Sequence, residues 1–539
     1  MIKYFFVFLL LSFEIFSQTK TAFTNYFQFG TGTENVGEAG LVGTREKKYF
    51  DNYLDGKIYF PKVTIGFRLE ESNPPEFGLK FQGIRKKFVQ YQDENFNFRV
   101  GDLYGLYGHG LSLNLFETRS IAYNTGIEGL SAKFENENIT AQIIGGEMDF
   151  LVPSTLYETK QRFENYFIEG ASVNYKFDKL NFGSSFIFAK AKFPNQFVDG
   201  KYDSFKVQLP EMFLRFQQDA FELSLSYNLK KTILENNLGE TGSGFYASIS
   251  YAKSGFGINF DWKDYRYDFS NPIEKTNIFR QTRMLPFQNP PIVHKEHTFS
   301  LLKRYPYVAD FNDEVGFQIE AFYLFDDVTT LNFNTSVSSD HFEYSYNPNN
   351  SEFKRIENGS IYFPSLNNNR SPFWELYFEV EHYYDFEIGS YFKTAINRRS
   401  ETVFDPISFF AQVQPTRTVT IPMEVQHMLN EILSLKISSE NQWVTKYPST
   451  KTYYNHLLSL QFSRSPDFSI AARWETTTSN NEPNNQKNWG VIEIGYKVGN
   501  KHNIAISYGS ERGGQVCSNG ICRTVNPFNG LRFSFTSSL

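Results

Sequence analysis

The chain has almost no cysteine, only two in 539 residues. That excludes a disulfide-built scaffold and a cysteine-rich metal protein. It has no excess of basic charge either. The 53 Lys and Arg stand against 59 Asp and Glu, a net charge of −6, which leaves no electrostatic footprint for nucleic acid. Beyond the N-terminus there is no apolar run of the roughly 20 residues that a membrane-spanning helix needs. No glycine-rich phosphate loop ending in Lys and Ser or Thr is present, no His-Glu-x-x-His and no Gly-x-Ser-x-Gly. The expectation is therefore no cofactor and no enzyme, although a barrel hydrolase could assemble its residues only in three dimensions. What the chain does have is aromatic side chains, 18% of all residues. Such a load, with a mean hydropathy of −0.42 and no spanning helix, points to a sheet protein with a large apolar outer face.

Met1–Ser17 reads as an export signal, with Lys3 as its positive end and Tyr4–Phe13 as its apolar core. No cysteine follows the cut, so no lipid anchor is expected. Residues 18–539 then form a single domain.

Along that domain, short segments alternate with a period of two. In Glu375–Val380, Leu376, Phe378 and Val380 share one face, and Glu375, Tyr377 and Glu379 the other. Phe468–Trp474, Gly490–Val498, Asn503–Tyr508 and Gly530–Leu539 behave alike. One apolar face suits a soluble sandwich or a transmembrane barrel. The barrel is favoured by long strands, by the export signal, and by aromatics crowding the strand ends at Tyr53, Tyr59, Phe60, Tyr383, Tyr384, Tyr453 and Tyr454. Short periplasmic turns should alternate with long outer loops, with an even strand total. Counting back from the C-terminus predicts an all-β antiparallel barrel of about 24 strands, range 22–26. The count treats Asp268–Asn312 as one outer loop, because Asn289-Pro290-Pro291 and Tyr305-Pro306 do not suit a ladder. A second long loop covers His341–Arg370. The count also makes Thr31–Asn52 the first outer loop and Glu70–Glu76 a periplasmic turn. Gly101, Gly105, Gly108 and Gly110 read as barrel closure or curvature.

Phase then selects candidate lumen-lining residues: Arg68, Arg99, Glu375, Glu379, Glu381, Glu387, Lys393, Arg473, Glu493 and Lys497. Facing lipid, each charge would cost up to several kcal/mol, about 2–4 for Arg or Lys at the midplane. Their mixed sign argues against a strongly ion-selective pore. Cys517 and Cys522 flank Ser-Asn-Gly-Ile in the last outer loop, and the Asn-Gly turn suggests a local disulfide. His294 and His297 beside Glu296 read as loop surface, not as a metal site.

Two stretches carry a resemblance. Arg99-Val100-Gly101-Asp102-Leu103-Tyr104, with Tyr107-Gly108-His109-Gly110-Leu111 and Glu117-Thr118-Arg119, is similar to a pattern in uncharacterised outer-membrane β-barrel proteins of the Bacteroidetes type. The closing Asn526-Pro527-Phe528-Asn529-Gly530-Leu531 resembles them too. The resemblance implies a barrel in the outer membrane and no catalytic assignment.

A barrel of this width leaks unless something fills it. A TonB-dependent receptor resembles it in width but carries an N-terminal plug, for which Gln18–Lys20 leave no room. The two long loops are the available internal plugs. The expected function is a porin-like channel for passive or gated passage of small solutes. The alternative is a non-transporting subunit of a secretion, assembly or surface-attachment complex. Expected partners are outer-membrane lipid and lipopolysaccharide, and a second outer-membrane protein under the alternative.

Overall fold

The computed structural model describes residues 19–36, 43–152, 163–195, 198, 200–235, 239–267, 284–307, 309–347, 349, 352–356, 361–405, 412–518, 521–525 and 527–539. The export signal lies outside them. Twenty-four strands form one closed antiparallel sheet, and no α-helix occurs among the described residues. The first eight are β1 (Lys20–Val36), β2 (Gly43–Tyr59), β3 (Val63–Ser72), β4 (Phe81–Gln92), β5 (Phe96–Leu103), β6 (Ile127–Glu135), β7 (Ile139–Leu151) and β8 (Phe163–Phe177). Next come β9 (Leu180–Pro194), β10 (Tyr202–Gln218), β11 (Phe221–Leu234), β12 (Gly239–Lys253), β13 (Phe256–Arg266), β14 (Asp313–Asp326), β15 (Thr329–Ser339) and β16 (Phe373–Asp385). The circuit ends with β17 (Ser390–Asp405), β18 (Gln412–Met428), β19 (Leu433–Lys446), β20 (Tyr453–Arg464), β21 (Phe468–Thr477), β22 (Asn488–Val498), β23 (His502–Glu511) and β24 (Phe528–Ser538). Each strand pairs with its neighbour in sequence, and β1 closes on β24 from Thr24↔Ser538 to Glu34↔Phe528.

Closure leaves no sheet edge, so every wall strand hydrogen-bonds on both sides. That is the condition for a sheet in hydrocarbon. The outer face is apolar. Leu376 is 46% exposed on β16, while Tyr377, one residue on, is 2% exposed. On β22, Ile492, Ile494, Tyr496 and Val498 all stand exposed on one side. A soluble protein does not present such a band around its whole circumference. The chain is an outer-membrane barrel.

One rim carries only turns of two to four residues, such as Asp178–Lys179 and Gly499–Lys501. By loop length this is the periplasmic rim, and all long connections leave the opposite, outer rim. Two expectations at the N-terminal end are corrected. Residues 31–36 and 43–52 belong to β1 and β2 rather than to one loop, and Glu70–Glu76 runs from β3 into an outer connection. The periplasmic reversal is at Phe60–Lys62, where Phe60 N donates to Val63 O at 2.8 Å. A further segment, Gly108–Phe116, leaves the wall altogether. The strand total stands because these errors offset one another.

The girdle expectation also needs correcting. Neighbouring residues of a strand point to opposite faces. Tyr384 and Tyr454 stand exposed on the outside. Tyr53 and Tyr453 instead turn inward, Tyr53 stacking on Tyr26 and Tyr453 bonding to Tyr305.

Candidate functional site

The inner face of β7–β10 is apolar on its outer half, which the two-residue pattern does not anticipate. Met148 and Phe150, Tyr166 and Ile168, Ile187 and Ala189, and Phe205, Val207 and Leu209 form a buried cluster there. They are covered by segments returning from the outer rim. Residues 104–126, between β5 and β6, contribute Tyr107, Leu113, Leu115, Ile121 and Tyr123. The described part of the β13–β14 connection, residues 284–307 and 309–312, contributes Leu285 and Phe287. The two segments hold each other: Asn114 N donates to Phe287 O at 2.7 Å, and Tyr123 Oη to Pro286 O at 2.7 Å. Together they make a plug that shares one hydrophobic core with the barrel wall.

Carboxylates of the wall fasten this plug. Glu211, on β10, continues the inward phase of Phe205, Val207 and Leu209. It accepts the Ser112 backbone amide at 3.1 Å, the Ser112 hydroxyl, and the His109 amide at 3.4 Å. Gly108 sits at φ +55° against it, where a Cβ would collide with the Glu211 carboxylate. Gly108 and Gly110 therefore serve the close approach of the plug, not curvature of the wall. Asn228 and Gln288 both donate to Leu111 O, at 2.9 and 2.7 Å.

Across the lumen, Glu440 on β19 accepts the amides of Ser300 at 3.0 Å and Leu301 at 2.6 Å, and Gln442 donates to Leu301 O at 2.8 Å. Glu375 on β16 bonds His297 Nε2 at 2.8 Å and Asn397 at 2.6 Å. Lys263 and Glu314 form a fully buried pair at 3.1 Å beside Tyr307. Arg304 meets Glu475 and donates to Gly513 O at 3.0 Å. His294 and His297 are thus lumen residues rather than loop surface. His294 packs edge-on against Tyr307 and Phe373. Burial foremost, with Arg399 next, pushes its pKa down to about 3. Among the described residues no group of three His, Cys, Asp or Glu is placed to hold a metal ion.

The candidate lumen residues meet different surroundings. Arg68 joins the wall to the plug, bonding Asp55 at 2.7 Å and Glu117 at 3.0 Å. Glu375 anchors the plug as described. Glu379, Glu381 and Lys393 belong to a charge ladder on the inner wall nearer the periplasm. Lys393 lies 3.1 Å from Glu381 and 3.8 Å from Glu379, and Lys436 lies 2.8 Å from Glu424. Arg99 stacks over Phe88, 3.7 Å from its ring centre, and Arg473 pairs with Glu511 at 3.1 Å. Glu493 and Lys497 share the face opposite Ile492 and Ile494, and no ion pair is formed by either among the described residues. Glu387 is corrected: it is exposed in the Phe386–Gly389 turn at the periplasmic rim, where the β16 register ends.

The second long loop is not a lumen plug where it is described. His341 bonds Asp313 at 2.6 Å and Asp264 at 3.0 Å, on the outward-phase side of β13 and β14. Trp262 Nε1 donates to Tyr362 O at 3.1 Å, so this segment covers the outside of the wall near the outer rim. The backbone register places Cys517 opposite Cys522 in a short hairpin of the last outer connection.

The plug end opens on a vestibule at the outer rim, a cavity of about 820 Å³. Its floor is Arg304, Tyr305 and Pro306 of the plug, and Lys446, Lys451, Tyr453, Glu482 and Arg512 stand around it. Arg512 is held by Glu475 at 2.9 Å and by Glu482.

A family model matches residues 1–539, and its description reads "Family of unknown function (DUF6029)". The chain belongs to the DUF6029 family. No curated protein matches it. Among solved structures, the siderophore receptor PirA from Pseudomonas aeruginosa aligns at 9% identity and TM-score 0.47, over 96% of this chain and 80% of that one. The copper transporter OprC aligns at 12% and 0.44, over 98% and 81%. The P pilus usher (PapC) translocation pore aligns at 8% and 0.42, over 96% and 99%. At this level these likenesses carry no argument about what the DUF6029 chain transports or binds.

Sequence reasoning missed Glu211, Glu440 and Glu475. One signal was available for Glu211, a lone carboxylate that continues an otherwise apolar inward phase. For Glu440 and Glu475 no local signal separates an anchor from any other lumen charge.

Proposed function

We propose that this barrel is a gated outer-membrane channel for small polar solutes. The observation that supports it is the floor of the vestibule. Arg304, Tyr305 and Pro306 line the cavity and are also part of the plug. A solute seated among these side chains touches the element that crosses the lumen. Binding energy that differs between seated and released plug can then shift the plug. The lining of tyrosines, amides and charges of both signs suits a polar solute without selecting one sign of charge. Passive diffusion through an unfilled lumen is the less favoured version, because the plug is anchored by buried hydrogen bonds on opposite walls.

The test is conductance in planar bilayers. Wild-type protein should show rare, small openings. Glu440→Ala with Gln442→Ala removes the anchors of Ser300 and Leu301 and should raise open probability several-fold. Folding is checked by the heat-dependent gel mobility of the barrel. If folded wild-type and folded variant are both silent, the channel reading fails. A closed scaffold subunit of an outer-membrane complex then becomes the better account.

A further inference from the structure

The outer wall carries two arginines where a lipid-facing barrel should avoid charge. Arg398 on β17 and Arg417 on β18 are both exposed on the outward face, in register with Leu376 and with Ser400 respectively. Among the described residues neither has a carboxylate partner. The inward-facing Arg68 differs, bonding the carboxylates of Asp55 and Glu117. Arg398 and Arg417 share a groove of about 500 Å³ with Trp374 and Trp443, and Arg398 lies 5.6 Å from the Trp374 ring centre. Both tryptophans are outward residues close to the outer rim, the level at which indoles mark the membrane interface. One step deeper on the same face, Phe378 and Ile396 are exposed apolar side chains.

We propose that this groove binds the phosphorylated headgroup of an outer-leaflet glycolipid, with its acyl chains lying over Phe378 and Ile396. Charge complementarity selects the occupant. Two guanidiniums at the interface with no carboxylate partner among the described residues call for an anion, and planar forks suit phosphate oxygens. An apolar strip directly below calls for a ligand that is amphipathic rather than a free ion. The site lies outside the lumen and is independent of any transport.

Native mass spectrometry of the full-length mature protein in detergent tests this, with bisphosphorylated lipid A as the probe. Wild-type protein should retain lipid A. Arg398→Gln with Arg417→Gln should weaken retention by about tenfold or more, the effect of losing hydrogen bonds to a charged group. Lipid A stripped of phosphate should be retained as poorly by wild-type protein. Arg464→Gln, the same charge loss at the periplasmic rim, should change nothing. Arg398→Lys with Arg417→Lys keeps the charge without the forks and should give an intermediate effect, which also covers misfolding of the first pair. The proposal is overturned if the folded glutamine pair retains lipid A as wild-type does, or if dephosphorylated lipid A binds equally well. Full displacement by millimolar inorganic phosphate overturns it as well, because the occupant would then be free phosphate.

Discussion

The Glu440 carboxylate accepts the Leu301 backbone amide at 2.6 Å, tying a wall strand to a loop residue 139 positions away. A second amide, from Ser300, shares that carboxylate. Cutting the carboxylate back to a methyl group leaves the buried Leu301 amide without an acceptor, and frees the more exposed Ser300 amide beside it. A buried orphan of this kind costs about 1–3 kcal/mol. Glu440→Ala should therefore expose the plug to limited trypsin cleavage after Lys303 or Arg304 while the barrel keeps its gel mobility. Unchanged cleavage would mean the plug is held elsewhere.

Phe287 is fully buried inside the barrel and meets Tyr166 edge-on at 5.7 Å. Replacing a buried Phe by Ala costs about 3–5 kcal/mol. The loss should fall on the plug, since the wall keeps its ladder. Hydrogen exchange should accelerate at residues 111–115 and 284–291 in Phe287→Ala, with strand amides on β16–β24 unaffected.

His294 and His341 should respond to pH in opposite directions. Burial, then the Arg399 charge, holds the folded pKa of His294 at about 3, against Glu375, which raises it, and with Lys263 and His297, which lower it. Its unfolded or released form binds a proton first. The plug therefore loses stability as pH falls below the ordinary histidine value near 6.5, by up to about 1.4 kcal/mol per pH unit. Exchange in residues 284–307 should quicken at pH 5 relative to pH 7.5. His294→Phe should remove most of the effect.

At His341, burial opposes the charged form, but the carboxylates of Asp264 and Asp313 outweigh it and raise the pKa. The stabilisation is complete below the unfolded value near 6.5 and is lost as pH rises through the higher folded value. Protection of residues 340–342 and 365–372 should fall on raising pH from 6 to 9. The same series on His341→Gln should be flat.

The facing backbone of Cys517 and Cys522 leads us to expect a disulfide in the exported protein. Directly opposed strand residues bring Cβ atoms to about 4.5–5.5 Å, close to disulfide reach. Thiol alkylation under denaturing, non-reducing conditions should label neither cysteine, and after reduction both. Labelling without reduction would rule the bond out.

The sequence alone determined the wall. Lipid accepts only apolar side chains around the whole circumference, so the outward phase is written locally, as at Leu376, Phe378 and Val380. The same constraint made the rim of the long loops readable from β6 onward; before it, the turn at Phe60–Lys62 went unread despite Pro61, and the strand total held only because Gly108–Phe116 was counted in its place. What fills the lumen was decided only by tertiary structure. Inside, no bulk solvent imposes a uniform rule: the inner face is apolar at Ile187, where the plug packs, charged at Glu440, where the plug is tied, and charged again at Lys393 nearer the periplasm. The partner of Glu211 is Ser112, 99 residues away, and no two-residue period carries information over that distance. Arg398 shows the converse, an outward charge that breaks the local rule and becomes intelligible only once the folded wall places it beside Trp374 at the membrane surface.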